Sequence, residues 1–269
     1  MTTLRVAIVD DEEPARMLLR EYLDEEPGVE IVAECANGFE AVKAVTDLKP
    51  DLLLLDVQMP KLDGFEVLEL VGREAMVIFT TAYDEYALKA FEVHAVDYLL
   101  KPFGLDRLQE AIARARQRLT SVGSLQLPVG GGQSAGGGAQ SAAGRRQPAP
   151  TDISAAARPV GSWLSRIAIR DGSEVHVVPI DRVDYVEAQD DYIAVHAGDR
   201  TLLKDQRLAH LASQLDRRRF VRIHRSFLLN LDRLVRLETT DTDSRIAVLR
   251  DGRQLPVSRS GFARLQELL

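Results

Sequence analysis

The sequence predicts two folded parts of different class: an α/β domain on a doubly wound, parallel five-stranded sheet, followed by a mostly-β domain. Three observations predict it. Short apolar runs alternate with helical patterns through about the first 118 residues. A stretch rich in Gly, Ser, Ala, Gln and Pro then fills residues 121–161, and nine of the 18 glycines fall there. Beyond it, short runs of alternating apolar and polar residues are punctuated by Asp-Gly and Gly-Asp pairs. The expected organisation is therefore a first domain at 1–120, a flexible linker at 121–161 and a second domain at 162–269.

Composition agrees. A chain of 269 residues with 45% hydrophobic and 28% charged residues has the balance of a globular protein, and its length suits two domains. The single cysteine, Cys35, excludes an intramolecular disulfide and a cysteine-built zinc site. No apolar run approaches the roughly 18 residues of a membrane span, and Val6–Val9 is too short for a secretion signal. A cytoplasmic protein that binds no membrane is expected. The net charge of −7 hides an asymmetry: residues 1–118 carry −11, whereas 162–269 carry +2, and 17 of the 18 cations there are arginines. Arginine suits bidentate recognition of phosphates and guanine edges, and it equally suits surface salt bridges.

The first-domain elements follow in order. Leu4–Val9 reads as a strand, and Glu12–Glu25 as a helix. Val29–Cys35 and Gly38–Leu48 repeat the pair. The continuous run Leu52–Leu55, ending at Asp56, suits a strand buried on both faces. Met76–Thr80 is the fourth strand and Asp84–Glu92 its helix. Ala95–Leu100 is the fifth strand and Leu105–Leu119 the last helix. In such sheets, sites form at the carboxyl ends of the strands. Here those ends carry Asp10-Asp11, Asp56, Thr80-Thr81 and Lys101-Pro102. Taken singly, each is an ordinary loop or helix-cap residue. Taken together, three carboxylates in one cleft repel one another unless a cation joins them. Magnesium favours carboxylate oxygens, and three Asp, one Mg²⁺ and one Lys cancel in formal charge. A carboxylate so placed can attack phosphorus to give an acyl phosphate, with the metal and Lys101 stabilising the incoming oxygens.

Val9-Asp10-Asp11-Glu12, Leu55-Asp56-Val57-Gln58-Met59-Pro60, Asp63-Gly64, Thr81-Ala82 and Tyr98-Leu99-Leu100-Lys101-Pro102-Phe103 resemble the receiver domain of two-component response regulators across about residues 3–119. The resemblance implies that Asp56 accepts phosphate from a sensor histidine kinase. It implies that Asp10 and Asp11 are the acidic pair for Mg²⁺, with the backbone carbonyl of Gln58 completing the metal shell. Thr81 and Lys101 match the residues that contact the phosphoryl group. Tyr98 matches an aromatic switch that moves inward as Thr81 engages the phosphate, and Pro102 matches a cis position.

In the second domain, strands are expected at Ser165–Arg170, Glu174–Val178, Arg182–Glu187, Tyr192–Ala197 and Arg200–Lys204. Leu208, Leu211, Ala212 and Leu215 recur at helical spacing. Strands return at Leu234–Glu238, Arg245–Leu249 and Gln254–Val257, and Ser260–Leu269 reads as a short terminal helix. Asp171-Gly172, Gly198-Asp199 and Asp251-Gly252 mark the turns. No pair of adjacent helices forms a helix-turn-helix. Residues 217–226 hold five Arg and one His, and Phe220, Ile223, Phe227 and Leu228 anchor the segment to a core. Polar residues pinned in this way suit phosphate contacts and base-edge readout; a solvated basic loop is the other reading. Scattered histidines argue against a metal site, and the lack of a Gly-flanked serine elbow argues against a hydrolase.

Asp184-Tyr185-Val186-Glu187-Ala188, Asp191-Tyr192, Phe220-Val221-Arg222-Ile223-His224-Arg225-Ser226-Phe227, Asn230 and Pro256-Val257-Ser258-Arg259 resemble the LytTR family of DNA-binding domains, over about 162–268. The resemblance implies a β-rich fold that inserts loops into successive major grooves of duplex DNA. Arg225 and Arg259 match base-contacting positions, with Ser258 beside them. The loop Gln189-Asp190-Asp191 matches a third contacting loop and departs from the pattern by being acidic. Lys204, Arg222 and His224 are expected phosphate contacts. The whole chain then reads as a non-enzymatic transcription factor whose receivers form a homodimer on phosphorylation. A competing class is a receiver-controlled signalling protein whose output binds a protein or RNA; a steep fall of affinity with salt separates phosphate contacts from that alternative.

Overall fold

The computed structural model describes residues 3–83, 95–123, 163–239 and 245–269. The chain divides into two compact units.

In the first unit, β1 (Leu4–Val9), α1 (Glu13–Asp24), β2 (Val29–Cys35), α2 (Gly38–Leu48), β3 (Leu52–Asp56), α3 (Gly64–Val71), β4 (Met76–Thr81), β5 (Asp97–Leu100) and α4 (Leu105–Gly123) follow one another. All neighbouring strands are parallel, in the order β2-β1-β3-β4-β5. Every residue of β3 is buried, as an unbroken apolar run in a doubly covered sheet demands. Alternate residues serve the two faces. Leu4, Val6, Ile8, Leu52, Leu54 and Ile78 pack with Leu19 and Leu23 of α1 and Leu108, Ala111, Ile112 and Ala115 of α4. On the other face, Phe79 meets Phe65 of α3 at 4.8 Å between ring centroids.

The α/β class expected from the sequence is present. One element was not foreseen: α3, eight residues long, starts at a capping box in which Asp63 accepts from the Glu66 amide and the Glu66 carboxylate accepts from the Asp63 amide. The last helix also runs to Gly123, so residues 121–123 are helical rather than linker; extending a formed helix costs far less than starting one. The helix expected at Asp84–Glu92 and linker residues 124–161 lie outside the described residues.

The second unit holds β6 (Arg166–Asp171), β7 (Glu174–Pro179), β8 (Tyr185–Gln189), β9 (Tyr192–Ala197), β10 (Arg200–Lys204), α5 (Leu208–Gln214), β11 (Phe220–Arg222), β12 (Phe227–Asn230), β13 (Leu234–Thr239), β14 (Arg245–Leu249), β15 (Gln254–Val257) and α6 (Arg259–Gln266). A five-stranded antiparallel sheet, β10-β9-β8-β12-β11, is central; β13-β14-β15 and the hairpin β6-β7 are separate sheets. Alternation along the strands feeds two cores. Val186, Ile193, Val195, Phe220 and Leu228 pack with the β6-β7 hairpin and α5. Tyr185, Val221 and Leu229 pack with Ala247, Leu249, Leu255 and Leu265 from the small sheet and α6.

The three turn pairs all close hairpins, with Gly172 and Gly198 in the left-handed region that favours glycine. The strand expected at Arg182–Glu187 forms later, at Tyr185–Gln189, because Ile180–Arg182 closes a 3-10 turn with the Val183 amide donating to Ile180. The basic stretch at 217–230, expected only as an anchored segment, supplies β11 and β12. No helix among the described residues is long and apolar enough to cross a membrane.

Candidate functional site

The parallel sheet delivers the strand ends to one edge. Asp10 follows β1, Asp56 closes β3, Thr81 closes β4 and Lys101 follows β5. Ligand atoms of Asp10, Asp11 and Asp56 lie within 4.8 Å of one another. Asp10 is fully buried and Asp56 nearly so, whereas Asp11 is exposed. The Lys101 Nζ donates to Asp10 Oδ2 at 2.6 Å and stands 3.6 Å from Asp56 Oδ1. The Asp10 carboxylate also accepts from the Glu12 amide, and its carbonyl accepts from Arg16. One lysine does not offset three clustered carboxylates. Burial pushes the Asp56 carboxyl up to about 7; Lys101 opposes that, while Asp10 and Asp11 reinforce it. Lys101 itself is raised, since Asp10 and Asp56 outweigh its burial.

Around this cluster, Thr81 is buried and its Oγ1 accepts from the Tyr83 amide at 3.4 Å. The Tyr98 hydroxyl donates to the Tyr83 carbonyl. Gln58 is exposed two residues beyond Asp56. The Lys101–Pro102 peptide is cis, as expected. Gly64 lets α3 start against the site: a Cβ there would stand 2.3 Å from the Asp56 carbonyl oxygen. The donor set is all oxygen and overcharged, which fits a hard divalent cation such as Mg²⁺.

In the second unit, three loops meet at one end of the central sheet. Residues 223–226 bridge β11 and β12 in a tight bend, with the Phe227 amide donating to the His224 carbonyl and the Ser226 amide to His224 Nδ1. The Ser226 carbonyl accepts from Ala188, at the end of β8 beside the Gln189-Asp190-Asp191 turn. Asp190 sits at φ +46°, a backbone setting that Asp tolerates. From the other side, the Ser258 amide and Oγ both donate to the Ile223 carbonyl, at 2.9 and 3.0 Å. Ser258 caps α6 by accepting from the Gly261 amide. The result is a cavity of about 360 Å³ lined by Arg222, His224, Arg225, Ser258, Ser260 and Arg264, with Arg225 and Arg259 exposed beside it.

The structure thus brings together Arg222, His224, Arg225, Ser258 and Arg259, and sets Asp190 at the same end of the sheet. Lys204 is not among them: it lies on β10, two strands from β8, and its Nζ donates to the Ala168 carbonyl at 2.7 Å. Ser260 and Arg264 line the cavity without having been singled out in the sequence. The spacing of Ser258, Gly261 and Arg264 at three-residue intervals along a capped helix is the one signal that points to Arg264.

A sheet edge that gathers acidic oxygens around a lysine, in the same chain as a β-rich unit that gathers arginines at one end of its central sheet, defines a signal-receiving regulator with a nucleic-acid-binding output. Known proteins agree. Residues 6–113 match the response regulator receiver domain and residues 173–269 the LytTr DNA-binding domain. An uncharacterized response regulatory protein of Yersinia pestis is 34% identical over 268 residues, covering 99% of this chain and 98% of the relative. The transcriptional regulatory protein BtsR of Escherichia coli K12 is 33% identical over 270 residues, with 99% of each chain covered. Among solved structures, the response regulatory domain of protein mrkE from Klebsiella pneumoniae is 29% identical, covering 44% of this chain and 99% of that one at a TM-score of 0.42. The chain belongs to the LytTR response regulators, transcriptional regulators of two-component systems.

Proposed function

We propose that Asp56 is the phosphoacceptor of this regulator and that its phosphorylation controls DNA binding by the loops of the second unit. The observation that carries the first half is the convergence of Asp10, Asp11, Asp56 and Lys101 at one sheet edge. A carboxylate oxygen of Asp56 attacks the phosphorus of a phosphohistidine on the sensor kinase. The P–N bond breaks as the P–O bond forms, leaving an acyl phosphate on Asp56 and a neutral imidazole once a proton is taken up. Asp10, Asp11, Asp56 and the Gln58 carbonyl would hold Mg²⁺, which supplies positive charge to the phosphoryl oxygens when bound. Lys101 and Thr81 bind those oxygens, and Tyr98 responds to the movement of Thr81.

The phosphoryl group carries about −1.5 to −2 and the carboxylate gives up its own charge, so the site gains about −1, together with three strong acceptor oxygens, which biases the receiver surface toward a homodimer. The two output units then act on one duplex, and the second contact becomes effectively intramolecular. Arg225 and Arg259 read base edges, His224 and Ser258 support them, and Asp190 lies in the adjoining loop. Lys204 is at most a peripheral phosphate contact. The organisation we infer is a receiver that ends with its last helix at Gly123, a tether over 124–161 and an output domain at 162–269, in a cytoplasmic, non-enzymatic protein.

The test is selection of a randomised duplex library by the full chain at near-physiological salt, with Arg225→Ala as control. Enrichment of a short motif, lost in the control and strengthened by phosphorylation that Asp56→Asn abolishes, is the expected result. Absence of an enriched motif would overturn the DNA assignment in favour of a protein or RNA target. Phosphate incorporation undiminished in Asp56→Asn would overturn the phosphoacceptor assignment.

A further inference from the structure

Arg264 lies on α6, 42 residues from the bend it touches. Its Nε and Nη2 both donate to the Arg222 carbonyl, at 3.0 and 2.6 Å. The Arg222 guanidinium is engaged in turn: its Nη2 donates to the Arg225 carbonyl at 2.7 Å. Two guanidinium groups therefore run in series from α6 through Arg222 to the backbone that carries Arg225. A second link runs parallel to the first. Ser258 donates twice to the Ile223 carbonyl, and α6 seats so closely on that residue that a Cβ on Gly261 would stand 1.9 Å from its oxygen. Ser258 immediately precedes Arg259. The backbones bearing Arg225 and Arg259 are thus joined to each other through carbonyl oxygens 222, 223 and 225.

From this we propose that Arg264 and Arg222 are positioning residues that lock Arg225 and Arg259 in one register, so that both reach base edges of one duplex. This revises the expectation that Arg222 contacts phosphate, because the one acceptor its guanidinium serves among the described contacts is the Arg225 carbonyl. It rests on the DNA-binding reading of the same loops. A guanidinium spanning two donors onto one carbonyl fixes direction as well as distance, which a lysine with a point charge does not. Bidentate readout of a guanine edge tolerates little misplacement, whereas attraction to phosphates tolerates much. Losing the clamp therefore removes discrimination between sequences and leaves charge-driven affinity in place.

The experiment measures binding of the full chain to two duplexes of equal length, the one enriched from a randomised library and a scrambled one, across a salt series. Arg264→Ala is expected to lower the ratio of enriched to scrambled affinity about tenfold, in line with the loss of one bidentate base contact. Scrambled affinity and the slope of log affinity against log salt stay at wild-type values. Arg264→Lys, which keeps the charge, is expected to behave like Arg264→Ala in the ratio. It also serves as the second variant should the alanine form melt early. In the Arg225→Ala background, Arg264→Ala is expected to add less than twofold, since the two act through one contact. A fall in the salt slope of about one with the ratio kept would make Arg264 a phosphate contact and overturn the proposal. Full additivity with Arg225→Ala, or an unchanged ratio, would overturn it as well. If the wild-type chain enriches no duplex at all, the DNA reading fails. If Arg225→Ala loses the ratio and Arg264→Ala does not, only the positioning role fails.

Discussion

Gly64→Ala is a demanding test of how the phosphoacceptor strand is held. The new methyl would stand 2.3 Å from the Asp56 carbonyl oxygen and 3.1 Å from the Val57 Cα, where ordinary contact begins at 3.4 Å. Both neighbours are backbone, so no side chain can swing away. Relief requires α3 and the end of β3 to separate by about 1.1 Å, the difference between 3.4 and 2.3 Å. The separation works against the 2.9 Å hydrogen bond from the Gly64 amide to the Val57 carbonyl. Overpacking on this scale costs about 1–3 kcal/mol, or roughly 10 °C of melting temperature for a domain of this size. Misplacing a reacting group by about 1 Å costs up to about 100-fold in rate. The assay is incorporation of phosphate from a small acyl phosphate donor, read per folded molecule, beside a thermal melt. Gly72→Ala is the control. Gly72 sits at φ +59° with nothing within 4 Å of an added methyl, so alanine there strains the backbone without pressing on Asp56. The control should lose stability and keep its rate. A Gly64→Ala protein that melts and phosphorylates like wild type would refute the view that this close approach sets the geometry of Asp56.

Lys101→Met removes the cation bonded to Asp10 and facing Asp56, and leaves three clustered carboxylates. In chelator the receiver should lose about 3 kcal/mol, and Mg²⁺ should raise its melting temperature more than that of wild type; equal Mg²⁺ shifts would count against the charge account. Asn230 is fully buried, donating to the Val183 carbonyl at 2.7 Å and accepting from the Asp232 amide at 3.1 Å. Asn230→Ala should destabilise the output unit by about 1–3 kcal/mol in a denaturant titration, because a buried carbonyl loses its donor. His196 is held below its usual range first by burial and then by Arg253, against the pull of Glu187. Since the folded state resists protonation, stability is full above the unfolded value near 6.5 and is lost as pH falls below it. Melts of the chain from pH 8 to 5 should show this, and His196→Gln should flatten the dependence; an unflattened curve would assign it to other groups.

The receiver half was legible because its chemistry is carried by strand ends. Asp10, Asp56 and Lys101 follow apolar runs, and parallel pairing leaves little freedom in where those ends go. The helix α3 was harder to read: eight residues of Gly-Phe-Glu-Val-Leu-Glu-Leu-Val have the composition of a buried strand as much as of a helix, and only the Asp63–Glu66 box separates them. In the output half, Arg225 stood out because its segment carries apolar anchors, and Arg259 only through the resemblance to LytTR domains. Strands β11 and β12 are three and four residues long, too short for alternation to show. Lys204 lies apart from the others for a reason a charge pattern does not reveal: its ammonium donates to a carbonyl 36 residues earlier. The role of Arg264 was hidden for the same reason: helical spacing places it on the face of Ser258, but its partner is a carbonyl, and carbonyls leave no mark on a sequence.

That last point bears on how exposed side chains become specific. Arg225 is exposed on a short connection and Arg259 on the first residue of α6, and a free arginine carries about 2 kcal/mol of rotamer entropy that recognition must overcome. Among the described residues, no hydrogen bond or ion pair from either guanidinium group holds it in place. What is held is the backbone beneath them, at carbonyls 222, 223 and 225, by donors from α6 and from Arg222. Fixing the Cα positions leaves each reader only its own torsions to order on binding, and it makes the two readers a single body. Substitutions in α6 that never approach a duplex should therefore weaken sequence discrimination more than they weaken affinity.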